Sequence, residues 1–133
     1  MPRILIIEDE DSQRKVLHDN LTQKGYSILE ARDGLEGLAV ALREHPDLIL
    51  LDVRMPKMDG MTMMHKLRED NWGKNASIII LTNYDSSDAQ ISQVTIDQPS
   101  YFLLKADSPL EKIIEKIQDV LDSNKRDTQQ VQV

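Results

Sequence analysis

The chain has 133 residues, 40% of them hydrophobic, no cysteine and a formal net charge of −7. That length suits one domain with a sizeable core, and the lack of cysteine excludes disulfides and thiolate metal sites and agrees with a reducing, cytoplasmic location. The acidic balance argues against direct nucleic-acid binding, and no apolar run approaches the roughly 20 residues of a membrane helix.

The expected elements alternate between strand and helix. Arg3-Ile-Leu-Ile-Ile7 begins within three residues of Met1, leaving no room for a signal peptide. A short, continuous apolar run of this kind suits a strand buried on both faces. Ser12 is the expected cap of a first helix carrying Val16, Leu17 and Leu21 and stopping at Gly25. Tyr26 to Glu30 reads as a second strand. Asp33, with Glu36 three residues on, caps a second helix carrying Leu38, Ala41 and Leu42, which His45-Pro46 ends. Leu48 to Leu51 is a third strand ending on Asp52. A loop from Pro56 to Gly60 leads to a third helix from Met61 to Asn71. Ser77 to Leu81 is a fourth strand ending on Thr82. A weak fourth helix is expected near Ser87 to Ile96, and Tyr101 to Leu104 is a fifth strand ending on Lys105. Ser108-Pro-Leu-Glu111 is a capping sequence for a fifth helix, whose buried face is Ile113, Ile114, Ile117, Val120 and Leu121. From Ser123 to Val133 the chain is polar and without period, and is expected to be a disordered tail. The expected domain is therefore residues 1–122.

Five strands alternating with five helices predict an α/β fold with a doubly wound, parallel sheet. Right-handed crossovers put every strand's C-terminal end at one edge, where such sheets bind ligands. Polar groups stand at four of these ends: Glu8-Asp9, Asp52, Thr82 and Lys105. Three carboxylates against one Lys call for a hard divalent cation, and Mg²⁺ fits oxygen donors with retained waters. Asp52 could attack a phosphoryl group, with Lys105 and the Thr82 hydroxyl contacting its oxygens.

The stretches Ile6-Ile7-Glu8-Asp9-Glu10, Leu51-Asp52-Val53-Arg54-Met55-Pro56-Lys57-Met58-Asp59-Gly60, Leu81-Thr82 and Leu104-Lys105 resemble the receiver domains of two-component response regulators. The resemblance spans residues 3 to about 122 and is most specific from Asp52 to Gly60. It implies a flavodoxin-like strand order 2-1-3-4-5, with Asp52 as the phosphorylated residue. It implies Asp9 as a direct Mg²⁺ ligand, Glu8 as a ligand through water, and the Arg54 backbone carbonyl as a further ligand, with Mn²⁺ as a substitute metal. Thr82 and Lys105 would contact the phosphoryl group, and Phe102 would sit at the aromatic switch position. The implied partners are a sensor histidine kinase or phosphotransfer protein, and a downstream protein on the face of the fourth helix, fifth strand and fifth helix. The chain would be a monomer or a phosphorylation-dependent dimer, a signalling switch and not an enzyme on outside substrates. Three positions depart from the family pattern. Glu8 replaces the commoner Asp, Asn83 stands where a small residue is usual, and Ala106 follows Lys105 where most receivers have a cis Pro. A cis bond before Ala costs about 2.5–4 kcal/mol.

Two rival functions share these residues. An aspartyl-nucleophile, Mg²⁺-dependent phosphohydrolase usually has a second acid two residues after the nucleophile, where this chain has Arg54, and it needs a cap for which no residues are spare. A degenerate receiver acting only in docking would not need Asp52, Thr82 and Lys105 together. The methionines from Met55 to Met64 read as packing, and His18, His45 and His65, at no metal-like spacing, read as surface residues. Trp72 is expected to pack locally. Glu111, Lys112, Glu115 and Lys116 read as a solvated helix face.

Overall fold

A computed structural model describes residues 2–52, 60–82, 101–104 and 110–131. Strands β1 (Arg3–Ile7), β2 (Ser27–Ala31), β3 (Leu48–Asp52), β4 (Ile78–Thr82) and β5 (Tyr101–Leu104) form one parallel sheet in the order β2-β1-β3-β4-β5. The described helices are α1 (Asp11–Gln23), α2 (Gly34–Glu44), α3 (Gly60–Arg68) and α4 (Leu110–Val131). The expected helix near 87–96 lies outside the described residues.

Strand periodicity divides the core into two layers. Ile4, Ile6, Leu48, Leu50, Ile79 and Leu81 point to one face, under Leu17 and Leu21 of α1 and Ile113, Ile114 and Ile117 of α4. Leu5, Ile7, Ile49, Leu51, Ile78 and Ile80 point to the other, under Val40 and Ala41 of α2 and Met63, Met64 and Leu67 of α3. The sheet is thus covered on both sides, as the continuous apolar runs require. From Ile4 to Ile7 no residue is more than 1% exposed, and each such Ile contributes roughly 1.5–3 kcal/mol by burial. Met63 and Met64 are core residues, in keeping with the packing role expected of them.

Local signals set several boundaries. The Asp33 carboxylate accepts a hydrogen bond from the Glu36 backbone N–H at 2.8 Å, the expected N-cap of α2. His45 closes that helix at φ +48, a left-handed conformation that His tolerates better than most residues and that the following Pro46 favours by disallowing a helical His45. Gly25, at φ +95, provides the turn after α1. Gly37 lets α2 approach the sheet: a Cβ there would lie 2.5 Å from Ile7 Cδ1.

Other boundaries differ from expectation. Ser12 does not cap α1. The helix starts at Asp11, because the Glu10 carbonyl accepts its first bond, from Arg14 N at 2.9 Å, which leaves Ser12 inside the first turn. The α3 helix ends at Arg68 instead of Asn71. There the Asp70 carboxylate accepts from Trp72 N and Gly73 N, both at 2.9 Å, and turns the chain into a 3₁₀ turn at Gly73–Asn75. The tail expected to be disordered from Ser123 is helical through Val131. It contains neither Gly nor Pro, and Lys, Arg and Gln extend a helix that core packing has already nucleated.

At the N-terminal edge of the sheet, Trp72 stacks on His45 with ring centroids 4.4 Å apart and planes 6° from parallel. This joins the end of α2 to the connection after α3 and is worth about 0.5–1.5 kcal/mol beyond burial. His45 is therefore exposed yet engaged. His18 and His65 stand 3.5 and 3.4 Å from Glu30 and Glu69.

Candidate functional site

The carboxyl edge of the sheet collects the polar residues singled out above. Ile7 pairs with Leu51, so Glu8 leaves β1 level with Asp52, the last residue of β3. Asp52 in turn pairs with Leu81, and Thr82 with Leu104. Lys105, the residue after Leu104, lies outside the described residues, as do Arg54, Asn83 and Ala106. The backbone thus brings Glu8, Asp9, Asp52 and Thr82 to neighbouring strand ends, one residue after another across β1, β3 and β4. Phe102 sits on β5 opposite Ile80. No described peptide bond is cis.

The two acids after β1 have different surroundings. Glu8 is 2% exposed, and Asp9 is open to solvent. Glu8 prolongs the sheet by donating its N–H to the Ala31 carbonyl at 3.1 Å, and its Oε1 accepts from Glu10 N at 3.3 Å. Its own carbonyl accepts from Arg14 Nη1 at 2.8 Å. A buried carboxylate has to be compensated by hydrogen bonds or charge. Among the described side chains no group of three His, Cys, Asp or Glu gathers as a metal cluster. The donor chemistry of Glu8, Asp9 and Asp52 is nonetheless all oxygen, which suits a hard cation.

Arg14 is the residue that sequence reasoning missed. It is 8% exposed, and its guanidinium also binds the Asp11 carboxylate and lies 3.7 Å from Glu30 Oε1 on β2. The hydrogen bond and charge of Arg14 hold the Asp11 carboxyl below its ordinary range. A signal was present: Arg14 shares a helical stripe with Leu17 and Leu21, at spacings of three and four, and an arginine on a core-facing stripe needs acceptors nearby. Val16, expected on the apolar side of α1, is 51% exposed. It rims a groove of about 380 Å³ between α1 and α4, lined also by Glu8, Ser12, Gln13, Leu17, Leu81, Leu110 and Ile113.

Comparison with known proteins bears on this arrangement. Residues 4–118 match the family model described as the response regulator receiver domain. The response regulator MprA of Mycobacterium leprae is 33% identical over 125 residues, covering 94% of this chain and 53% of that protein. The DNA-binding dual master transcriptional regulator RpaA of Synechocystis is 42% identical over 82 residues, covering 62% of this chain and 34% of that protein. The chain therefore spans about a third to a half of these relatives. Among solved structures, the Vibrio cholerae chemotaxis protein CheY4 superposes with a TM-score of 0.80 at 28% identity, covering 90% of this chain and 98% of that one. A receiver domain protein of Methanospirillum hungatei gives 0.87 at 24% identity, covering 96% and 98%, a likeness of fold alone.

Proposed function

This chain belongs to the receiver-domain family of response regulators, and on that premise we propose that Asp52 accepts a phosphoryl group from a sensor histidine kinase or phosphotransfer protein. The observation that carries the reading is the register at the sheet edge. Asp52 ends the central strand, level with the buried Glu8 and exposed Asp9 on one side and one step from Thr82 on the other. The backbone of a residue at the end of a paired strand is positioned by the sheet, at little entropic cost.

In this reading an Asp52 carboxylate oxygen forms a bond to phosphorus as the phosphorus–nitrogen bond of the donor's phosphohistidine breaks. The Thr82 hydroxyl donates to a phosphoryl oxygen, and the Lys105 ammonium offsets the added negative charge. Glu8, Asp9, Asp52 and the Arg54 carbonyl are the residues that would hold Mg²⁺, or Mn²⁺ in its place. When bound, the metal supplies positive charge to the carboxylates and phosphoryl oxygens. The all-oxygen donor set, with one acid open to solvent, supports that assignment. Thr82, drawn to the phosphoryl group, would leave space for Phe102 to turn inward. The surface formed by the segment near 87–96, β5 and α4 would then bind a downstream protein. Residues 1–122 would be the switching unit. The chain would act on no outside substrate, and its net charge of −7 speaks against direct contact with nucleic acid.

The test is intact-mass measurement after incubation with acetyl phosphate and Mg²⁺. The wild type should gain one phosphoryl group, labile in alkali, and Asp52→Asn should gain none. Modification that persists in Asp52→Asn would assign the chemistry to another nucleophile and overturn the reading.

A further inference from the structure

We propose that Arg14 is a positioning residue for the acidic loop: by holding the Glu8 carbonyl it fixes the peptide plane that carries Asp9. The inference rests on the assignment of Asp9 as a cation ligand and adds a residue to that site.

The argument starts from burial. An arginine that is 8% exposed has a guanidinium largely stripped of water, and this group must be compensated by acceptors. Arg14 finds them on three separate pieces of chain. Nη1 donates to the Glu8 carbonyl at 2.8 Å, Nη2 donates to the Asp11 carboxylate in the first turn of α1, and Nε lies 3.7 Å from Glu30 Oε1 on β2. The rigid guanidinium fork can serve all three at once, which a lysine ammonium cannot.

The Glu8 carbonyl matters because it belongs to the peptide unit joining Glu8 to Asp9. That unit is planar, so fixing its oxygen also fixes the Asp9 nitrogen and leaves Asp9 only its own torsions. The other edge of the loop is held as well, by Glu8 N on Ala31 and by Glu10 N on Glu8 Oε1. Asp9 itself is exposed, so core packing does not hold it. The order of an exposed ligand then depends on its backbone, which Arg14 binds at the Glu8 carbonyl.

Charge and position make opposite predictions here. A cation that binds the backbone next to Asp9 would compete electrostatically with a divalent metal held there. If Arg14 acted only through its charge, Arg14→Met would tighten Mg²⁺ binding and Arg14→Lys would leave it unchanged. If Arg14 positions the loop, both variants weaken Mg²⁺ binding, by about tenfold or more, the scale seen when an outer partner of a metal ligand is removed. The experiment is calorimetric titration of Mg²⁺ into wild type, Arg14→Lys and Arg14→Met, each well below its melting temperature. Amide hydrogen exchange at Asp9 and Glu10 is followed in parallel without metal. Weakened Mg²⁺ binding in both variants, with faster exchange confined to that loop, is the expected result. Equal or tighter binding in folded Arg14→Lys would overturn the inference and leave the phosphoacceptor reading standing. Wild-type protein that binds no Mg²⁺ would overturn both. Arg14→Lys keeps the charge and most of the stem, so it provides a folded comparison even where Arg14→Met does not fold.

Discussion

Replacing Gly37 by Ala adds one methyl group at the closest approach of α2 to the sheet. That methyl would stand 2.5 Å from Ile7 Cδ1, 2.9 Å from Cγ1 and 3.1 Å from Cγ2, all in a side chain that is 1% exposed and has nowhere to retreat. Overpacking of this kind costs about 1–3 kcal/mol. The helix gains about 0.8–1.0 kcal/mol from exchanging Gly for Ala, so the net loss should be about 1 kcal/mol. Ile7→Val, which removes Cδ1, should by itself cost about 0.5–1.5 kcal/mol for the space it leaves. Together the two changes should be less harmful than their sum, because the new methyl enters the volume that Cδ1 vacates. The expected coupling is about 1 kcal/mol, measured by urea unfolding of the four proteins in a double-mutant cycle. Effects that add to within about 0.3–0.5 kcal/mol would show that the Gly37 methyl and Ile7 do not meet, and would refute the close approach of α2 to β1.

Two further outcomes are open to simple measurement. Asp33→Ala removes the side chain that accepts from Glu36 N at the start of α2 and should cost about 0.5–2 kcal/mol in urea unfolding, whereas Asp33→Asn, which can still accept that bond, should cost less. Burial raises the Tyr26 pKa above its ordinary value, an effect that the nearby Asp122 reinforces and the hydrogen bond with Gln118 opposes. Its phenol is therefore held neutral in the fold: the stability it contributes is full below about pH 10 and is lost as pH rises through the higher folded value. Ultraviolet titration of wild type against Tyr26→Phe should show a late-ionising phenol present only in the wild type, and an ordinary titration for that difference would count against its burial.

The features legible in the amino-acid order were those decided by neighbours in the chain. Four- and five-residue apolar runs specified strands buried on both faces, since only a sheet covered by helices can hide Ile4 to Ile7 or Leu48 to Leu51 entirely. Asp33 with Glu36, and His45 before Pro46, marked the ends of α2 because caps and the residue before proline act within one turn. The alternation of strand and helix, with one polar group after each of four strands, was enough to put Glu8, Asp9, Asp52 and Thr82 at a common edge, and the observed register does so. Other features depended on groups far apart in sequence. The first bond of α1 falls on Glu10 because of the way the chain leaves β1, so Ser12, a good cap by composition, caps nothing. Val16 is 51% exposed because α1 turns the stripe of Arg14, Leu17 and Leu21 toward the core, and Val16 lies off that stripe. The stacking of Trp72 on His45 joins chain segments 27 positions apart, and no local pattern announces it. Arg14 stands between the two kinds. Its stripe with Leu17 and Leu21 and two of its acceptors, the Glu8 carbonyl and the Asp11 carboxylate, are local, but the third, Glu30, comes near it only once β2 has paired with β1.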